Sequence, residues 1–515
     1  MSHWIIAPIL LPLFAGMVLL FGARWGLRVQ RGLALAATAA LVPLAIALLI
    51  QADTGVYQVY ALGDWPAPFG IVLVLDRLSA LLLALTAALA LPSLLYAIRG
   101  SDAAGGNFHA LFQLQLLGLN GAFLTGDLFN LFVFFEILLI ASYALLLHGK
   151  GPARTRAGLH YVVLNLVGSS LFLIAVGTLY GLTGTLNMAD LALRIGQAGI
   201  SEAPLLRAAA LLLLVVFALK AALLPLYFWL PRAYAAAHAP VAALFAIMTK
   251  MGVYAILRIY SLIFGSEAGL LADLALPWLW PLGLATLALA AIGVLAATEL
   301  RSLIAYLILV SVGTLLTAMA LATPAAISAS LYYLLHTTLV SGGLFLLAGT
   351  IRRQRGACGD RLSETGPPLL QPALLGVLFF VAAIAMAGMP PTSGFVGKLM
   401  LLAASGPAAT TALSVQGGWF WTTLLLASLL SLIALSRAGS QLFWRTEGAA
   451  TATEREDPLR VLGTLLLIGA SLLLVLFAVP VTDYTLATAL QLADPASYID
   501  VVLGGADPNF HAQSP

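Results

Sequence analysis

The sequence predicts an all-α membrane protein of about 14 transmembrane helices, and three observations point there. Hydrophobic residues make up 62% of the 515 positions and charged residues only 9%, against roughly 25% charged in a soluble domain. Apolar stretches near the ~20 residues needed to cross a hydrocarbon core recur along the whole chain. Basic residues alternate from one inter-span loop to the next. That alternation sets orientation, because loops rich in Lys and Arg stay on the cytoplasmic side.

The first stretch, near 4–23, contains IIAPILLPLFAGMVLLF. It lacks a basic n-region and a small-residue cleavage site, so it reads as a retained span and not a signal peptide. Further spans are expected near 32–51, 70–97, 108–125, 128–148, 158–180, 206–230, 240–264, 277–297, 302–322, 325–350, 369–403, 418–437 and 460–480. The twelfth is too long for one plain helix, and Pro390 and Pro391 fall inside it. Loops after odd-numbered spans hold the basic residues, from Arg24, Arg28 and Arg31 after the first to Arg437, Arg445, Arg455 and Arg460 after the thirteenth. Loops after even-numbered spans hold only Arg194 and Arg207, and carry Asp53, Asp64, Asp190, Glu202, Glu267 and Asp273. Both termini are therefore expected outside. The net charge of +3 reflects this orientation, with no nucleic-acid signal in it.

Two spans are interrupted at comparable places in two successive groups of five. The seventh reads FALKAALLPLYFWLP, with Pro225 five residues after Lys220, and the twelfth reads AGMPPTSGFVGKLMLL, with Lys398 seven residues after Pro391. Proline removes a backbone donor and clashes with the preceding turn, so each helix should break and leave polar backbone that must be buried in protein or hydrated. Paired broken helices are the pointer to an ion site in repeat-built transporters, with a packing kink as the structural alternative. The expected organisation is an N-terminal three-helix segment over 1–100, then two inverted five-helix repeats, spans 4–8 over 105–265 and spans 9–13 over 275–440. Residues 441–515 would hold a cytoplasmic loop, the last helix and an outer C-terminal tail.

Four ionisable side chains sit inside long apolar runs: Glu136 in LFVFFEILLI, Lys220, Lys250 in ALFAIMTKMGVYAI and Lys398. A charge at bilayer depth costs a few kcal/mol or more, so each marks a functional site or ion path by default. The expected partner of Glu136 is Lys220; pairing would keep both charged and separation would favour release of the lysine proton, while the structural alternative is a plain ion pair. Lys250 lies too deep to snorkel, whereas Arg258, two turns on, is expected to reach the outer interface. His336 sits beside Thr337, Thr338 and Ser341; an imidazole suits a relay, and a satisfied core histidine is the bland reading. Asp76 and Arg77 are expected to pair structurally, with each other or with a neighbouring helix. Tyr227, Trp229 and Trp419 are expected in interfacial belts. His238 and Arg232 frame the turn between spans seven and eight, where protons could be taken up.

Several chemistries are absent. In GFVGKLM, position 392 is Thr and position 399 is Leu, so the phosphate-cradling GxxxxGK[ST] pattern is missing. Cys358 is the single cysteine, which excludes an internal disulfide and thiolate clusters. The seven histidines include no paired sets of the kind that would hold two haems. No cofactor, metal or redox centre is expected in this chain.

The stretches LNGAFLTGDLFNLFVFFEILLIASYALLLHG and FALKAALLPLYFWLPRAYAAAHAPVAALFAIMTKMGVYAILR resemble the proton-translocating antiporter-like subunits shared by respiratory complex I and Mrp-type cation/proton antiporters. More narrowly, LGDWPAPFGIVLVLDRLSALLL, HYVVLNLVGSSLFLIAVGTLYGLTGTLNMADLA and the tail YIDVVLG are similar to the D-type subunits of Mrp antiporters. The resemblance implies a midplane proton relay of Glu136, Lys220, Lys250, His336 and Lys398. It also implies Mrp partners of the A, B, C, E, F and G types, a bacterial cytoplasmic membrane, and a Na⁺ or K⁺ route elsewhere in the assembly. Two other readings stay open: a membrane subunit of a complex I or membrane hydrogenase, and a structural membrane scaffold whose buried charges orient helices.

Overall fold

Proline in the first turn, or an Asp, Asn, Ser or Thr side chain capping it, starts most of the helices. The computed structural model describes residues 3–406, 414–452 and 454–504. Positions 505–515 of the expected outer tail, His511 among them, lie outside the described residues. In chain order the helices are α1 (Ala7–Phe21), α2 (Leu27–Ala52), α3 (Arg77–Ala97), α4 (Phe108–Leu124), α5 (Leu128–Leu147), α6 (Pro152–Thr183) and α7 (Met188–Gly196). Next come α8 (Ala203–Ala221), α9 (Trp229–Ala236), α10 (Ala239–Phe245), α11 (Met248–Leu262), α12 (Leu276–Ala296), α13 (Leu300–Met319) and α14 (Pro324–Gln354). The last are α15 (Pro372–Ala387), α16 (Ser393–Ser405), α17 (Val415–Phe443), α18 (Pro458–Leu476), α19 (Ala478–Leu492) and α20 (Pro495–Leu503).

Among the described residues 11 helices are long and apolar enough to cross a membrane, with α10 and α11 counted together, and α1, α15 and α16 are shorter apolar helices. Large apolar side chains such as Phe14, Ile140, Leu166, Ile292 and Leu425 face outward, as a lipid-solvated bundle requires. Helix α14 runs through the centre and touches α3, α10, α13, α15, α16, α18 and α19.

Three boundaries depart from the sequence expectation. The third span was expected from residue 70, but its helix starts at Arg77 because Asp76 and Ser79 form a reciprocal cap: Ser79 N donates to Asp76 Oδ1 at 2.8 Å and Asp76 N to Ser79 Oγ at 2.9 Å. The preceding residues form a ribbon, β1 (Gln58–Ala61) antiparallel to β2 (Val72–Leu75). The eighth span is divided at Ala246 and Ile247. The chain is helical again past 480, over Ala478–Leu492 and Pro495–Leu503, since Thr485, Thr488, Ala489 and Leu492 recur at helical spacing and bury one face of α19.

Both proline-marked breaks form, and they close alike. Helix α8 ends with Ala222 in the left-handed region at φ 61°, and Leu223 N donates to Ala218 O at 2.9 Å. Helix α15 ends with Gly388 at φ 81°, and Met389 N donates to Ile384 O at 3.1 Å. Each is a left-handed C-cap with a bond reaching five residues back, and in each a proline follows three residues after the left-handed residue.

Candidate functional site

Helix α5 begins where Asp127 accepts from Asn130 N at 2.8 Å, and nine residues later it presents Glu136. Ser169 of α6 donates its hydroxyl to Glu136 Oε1. One turn earlier on α6, Asn165 anchors its amide by donating Nδ2 to Tyr161 O at 2.9 Å, and turns Oδ1 to Lys220 Nζ at 3.2 Å. The direct Glu136–Lys220 ion pair expected from the sequence is not formed: no ion pair within 4.0 Å among the described residues includes Lys220, Lys250 or Lys398. Two polar side chains of α6 stand between acid and amine instead.

Lys220 occupies the last turn of α8, just before the break, and is buried. The backbone there is satisfied by protein: Leu219 O accepts from Ala222 N at 3.2 Å and from Trp229 Nε1 at 3.2 Å, and the freed Leu224 N donates to Thr286 Oγ1 of α12 at 2.9 Å. Trp229 is therefore a buried prop of the break and not the interfacial anchor expected of it. Gly252 lets α11 lie against this point, since a Cβ there would fall 2.3 Å from Ala221 N. Two residues before Gly252, the fully buried Lys250 donates Nζ to Ser311 Oγ of α13 at 3.0 Å.

In the second half, His336 of α14 is fully buried and shares Nδ1 with Ser393 Oγ at 2.8 Å. Lys398, one turn further along α16, bends back to the break. Its Nζ donates to Ala387 O at 2.8 Å, Met386 O at 3.3 Å and Ser428 Oγ at 2.8 Å. All three lysines and the histidine thus point into the bundle, each on a hydroxyl, amide or carbonyl oxygen. An ammonium buried without a counter-ion is costly, and passing its proton on removes the cost. Hydroxyls and water are the groups that can carry that proton.

Arg258 does not reach the outer interface. It is buried and donates to Asp76 Oδ2 at 2.6 Å, with Tyr254 and Tyr498 rings flanking the guanidinium at 5.7 Å. The sequence placed Asp76 with Arg77 or a neighbouring helix; the neighbour, α11, is the partner. On the side carrying most of the arginines, His238 and His148 meet at 5.9 Å between ring centres, while Arg232 is exposed. Burial, followed by the charges of Arg154, His148, Arg352 and Arg301, pulls the His238 pKa down to about 4, so its ring is neutral at neutral pH.

Sequence reasoning missed Asn165, Ser169, Ser311, Ser393 and Ser428. Their only signal is a polar residue at helical spacing on an otherwise apolar span, as Asn165 and Ser169 show four residues apart.

Residues 125–431 match the family model described as NADH:quinone oxidoreductase/Mrp antiporter, TM. The chain belongs to that family. Among its relatives, the D-type subunit of a probable K⁺/H⁺ antiporter of Rhizobium meliloti is 42% identical, with 98% of each chain covered. The D-type subunit of the Na⁺/H⁺ antiporter of Bacillus subtilis is 39% identical over 98% of this chain and 100% of its own. A chain of the Mrp complex from Dietzia superimposes with a TM-score of 0.86 at 28% identity, over 98% of this chain and 100% of that one. Glu136, Lys220, Lys250, His336 and Lys398 lie on helices from α5 to α16, all within the residues that match this Mrp and complex I family.

Proposed function

We propose that the chain is the proton-translocating, D-type subunit of a multisubunit monovalent cation/proton antiporter. It moves H⁺ along Glu136, Lys220, Lys250, His336 and Lys398, coupled to exchange of Na⁺ or K⁺ elsewhere in the assembly. The observation behind this reading is the row itself: three buried amines that join no ion pair within 4.0 Å among the described residues and a buried imidazole, each resting on an oxygen, arranged around two matching helix breaks. Near full-length relatives named as K⁺/H⁺ and Na⁺/H⁺ antiporter subunits support the cation-coupled reading over a redox-driven one.

In this reading the chain has fourteen spans, counting α1, α4 and the joined α15 and α16 with the 11 long helices. Spans 4–8 and 9–13 are the inverted repeats, both termini face outside, and the partners are subunits of the A, B, C, E, F and G types in a bacterial cytoplasmic membrane. It is a secondary transporter subunit. The test is collapse of ΔpH in everted vesicles holding the whole complex when Na⁺, K⁺ or Li⁺ is added. Glu136→Ala or Lys220→Ala should abolish it with the complex still assembled; intact flux with impaired assembly would instead favour a scaffold.

A further inference from the structure

One crossing of the polar row lies between α13 and α14. Lys250 and Ser311 bring it to α13, and His336 resumes it on α14. Between them, one turn along α13 from Ser311, stands Thr314, and one turn along α14 before His336 stands Tyr333. The two helices pack directly, and the Tyr333 hydroxyl meets the Thr314 side chain across that interface. Tyr333 is 3% exposed, its ring lies 5.9 Å from the His336 ring, and Gly397 lets it press close, since a Cβ there would fall 3.2 Å from its ring. Thr314 is buried completely and donates its own hydroxyl to Val310 O at 2.8 Å, which leaves its oxygen free to accept.

A hydroxyl buried between two helices costs free energy unless it is partnered, and here a phenylalanine would fill the same space. The neighbouring tyrosine shows the alternative use. Tyr332 donates its hydroxyl to Leu474 O of α18 at 3.0 Å, a tie between helices. Tyr333 makes no such tie to backbone among the described residues.

We infer that Tyr333 is a proton-carrying residue that joins the two halves of the relay, linking Lys250 to His336 through Ser311 and Thr314. The step is a chain of hops in which every oxygen gains one proton and releases one. The Lys250 ammonium gives a proton to the Ser311 oxygen, which passes its own on through a bridging water to the Thr314 oxygen and the Tyr333 hydroxyl, and the imidazole of His336 accepts the last. No bond other than O–H and N–H is made or broken. The inference rests on the relay reading above.

The experiment compares Tyr333→Phe and Tyr332→Phe in the whole complex, by cation-driven ΔpH collapse in everted vesicles, in H₂O and in D₂O. Losing one link of the chain should cost about tenfold in rate, which is about 1.4 kcal/mol. Tyr333→Phe should therefore slow flux about tenfold and raise the solvent isotope effect, while Tyr332→Phe stays within about twofold of wild type. Thr314→Val should repeat the loss and Thr314→Ser should restore it, which decides the matter even if the tyrosine variant fails to assemble. Wild-type flux in both Tyr333→Phe and Thr314→Val, with Lys250→Ala inactive, overturns this inference and leaves the relay reading standing. Full flux in Lys250→Ala overturns both.

Discussion

Lys398 closes the break of the helix before it: its Nζ lies 2.8 Å from the carbonyl oxygen of Ala387, the last residue of α15. In the first half the amine belongs to the broken helix itself, since Lys220 is the residue before the last of α8. Aligning the two left-handed caps, Ala222 and Gly388, puts Met386 where Lys220 stands, and Met386 O is a second acceptor of Lys398. The backbone position that carries Lys220 in the first break is thus the one whose carbonyl Lys398 binds in the second.

The caps give the first prediction. Gly388 has φ 81°, and a Cβ there would meet Lys398 Cδ at 2.6 Å, so Gly388→Ala adds about 1 kcal/mol of backbone strain and displaces the amine. Flux should be lost at near-normal assembly. Ala222 already holds φ 61° with a side chain, so Ala222→Gly should be neutral or slightly stabilising in thermal unfolding of the purified complex.

Asn165 carries the second. Asn165→Leu removes the acceptor of Lys220 and leaves the Ser169–Glu136 bond in place. Flux should fall by about tenfold, the worth of one charge-assisted hydrogen bond, whereas Asn165→Asp should retain more of it. Initial rates of ΔpH collapse in the two variants decide.

The Asp76–Arg258 pair is buried on both sides, and removing one member leaves the other charge uncompensated. Arg258→Ala or Asp76→Ala should each cost about 3–5 kcal/mol. The double variant should cost less than the sum of the two, as a thermal-unfolding double-mutant cycle would show.

Asp102 sets a pH dependence. Burial favours its protonated form, yet hydrogen bonds from His109 Nε2 at 3.0 Å and from Arg31 at 2.7 and 2.9 Å outweigh it and hold the carboxyl at about 2. A carboxyl whose folded pKa lies below its unfolded value near 3.9 contributes stability above that pH and loses it as pH falls through the folded value. Wild-type thermal stability should therefore drop between about pH 4 and about pH 2 more steeply than that of Asp102→Asn.

Much of this was legible in the sequence because lipid is a strict solvent. Lys250 stood out as an amine in an apolar run, and Pro225 and Pro391 marked the breaks because a helix cannot continue through them unchanged. What stayed hidden depends on tertiary contact. A serine such as Ser311 bonds its own helix at no cost in any span, so nothing in the sequence tells it from Ser142, which does the same. Arg258 had the spacing of an interfacial anchor, and only the approach of α11 to Asp76 and Tyr498 made it a buried ion-pair member. Trp229 looked like a belt residue for the same reason: its role comes from the Leu219 carbonyl at the end of α8, which accepts from its indole as well as from Ala222 N.

The most direct measurement is cation-driven ΔpH collapse by the assembled complex carrying Lys250→Met, which keeps the volume of the side chain and removes only its charge and proton. The Lys250 amine rests on Ser311 Oγ, and Ser311 retains its bond to Ile308 O at 2.9 Å when that amine is gone. A proton relay predicts an assembled complex with no flux. Wild-type flux in that complex would contradict it.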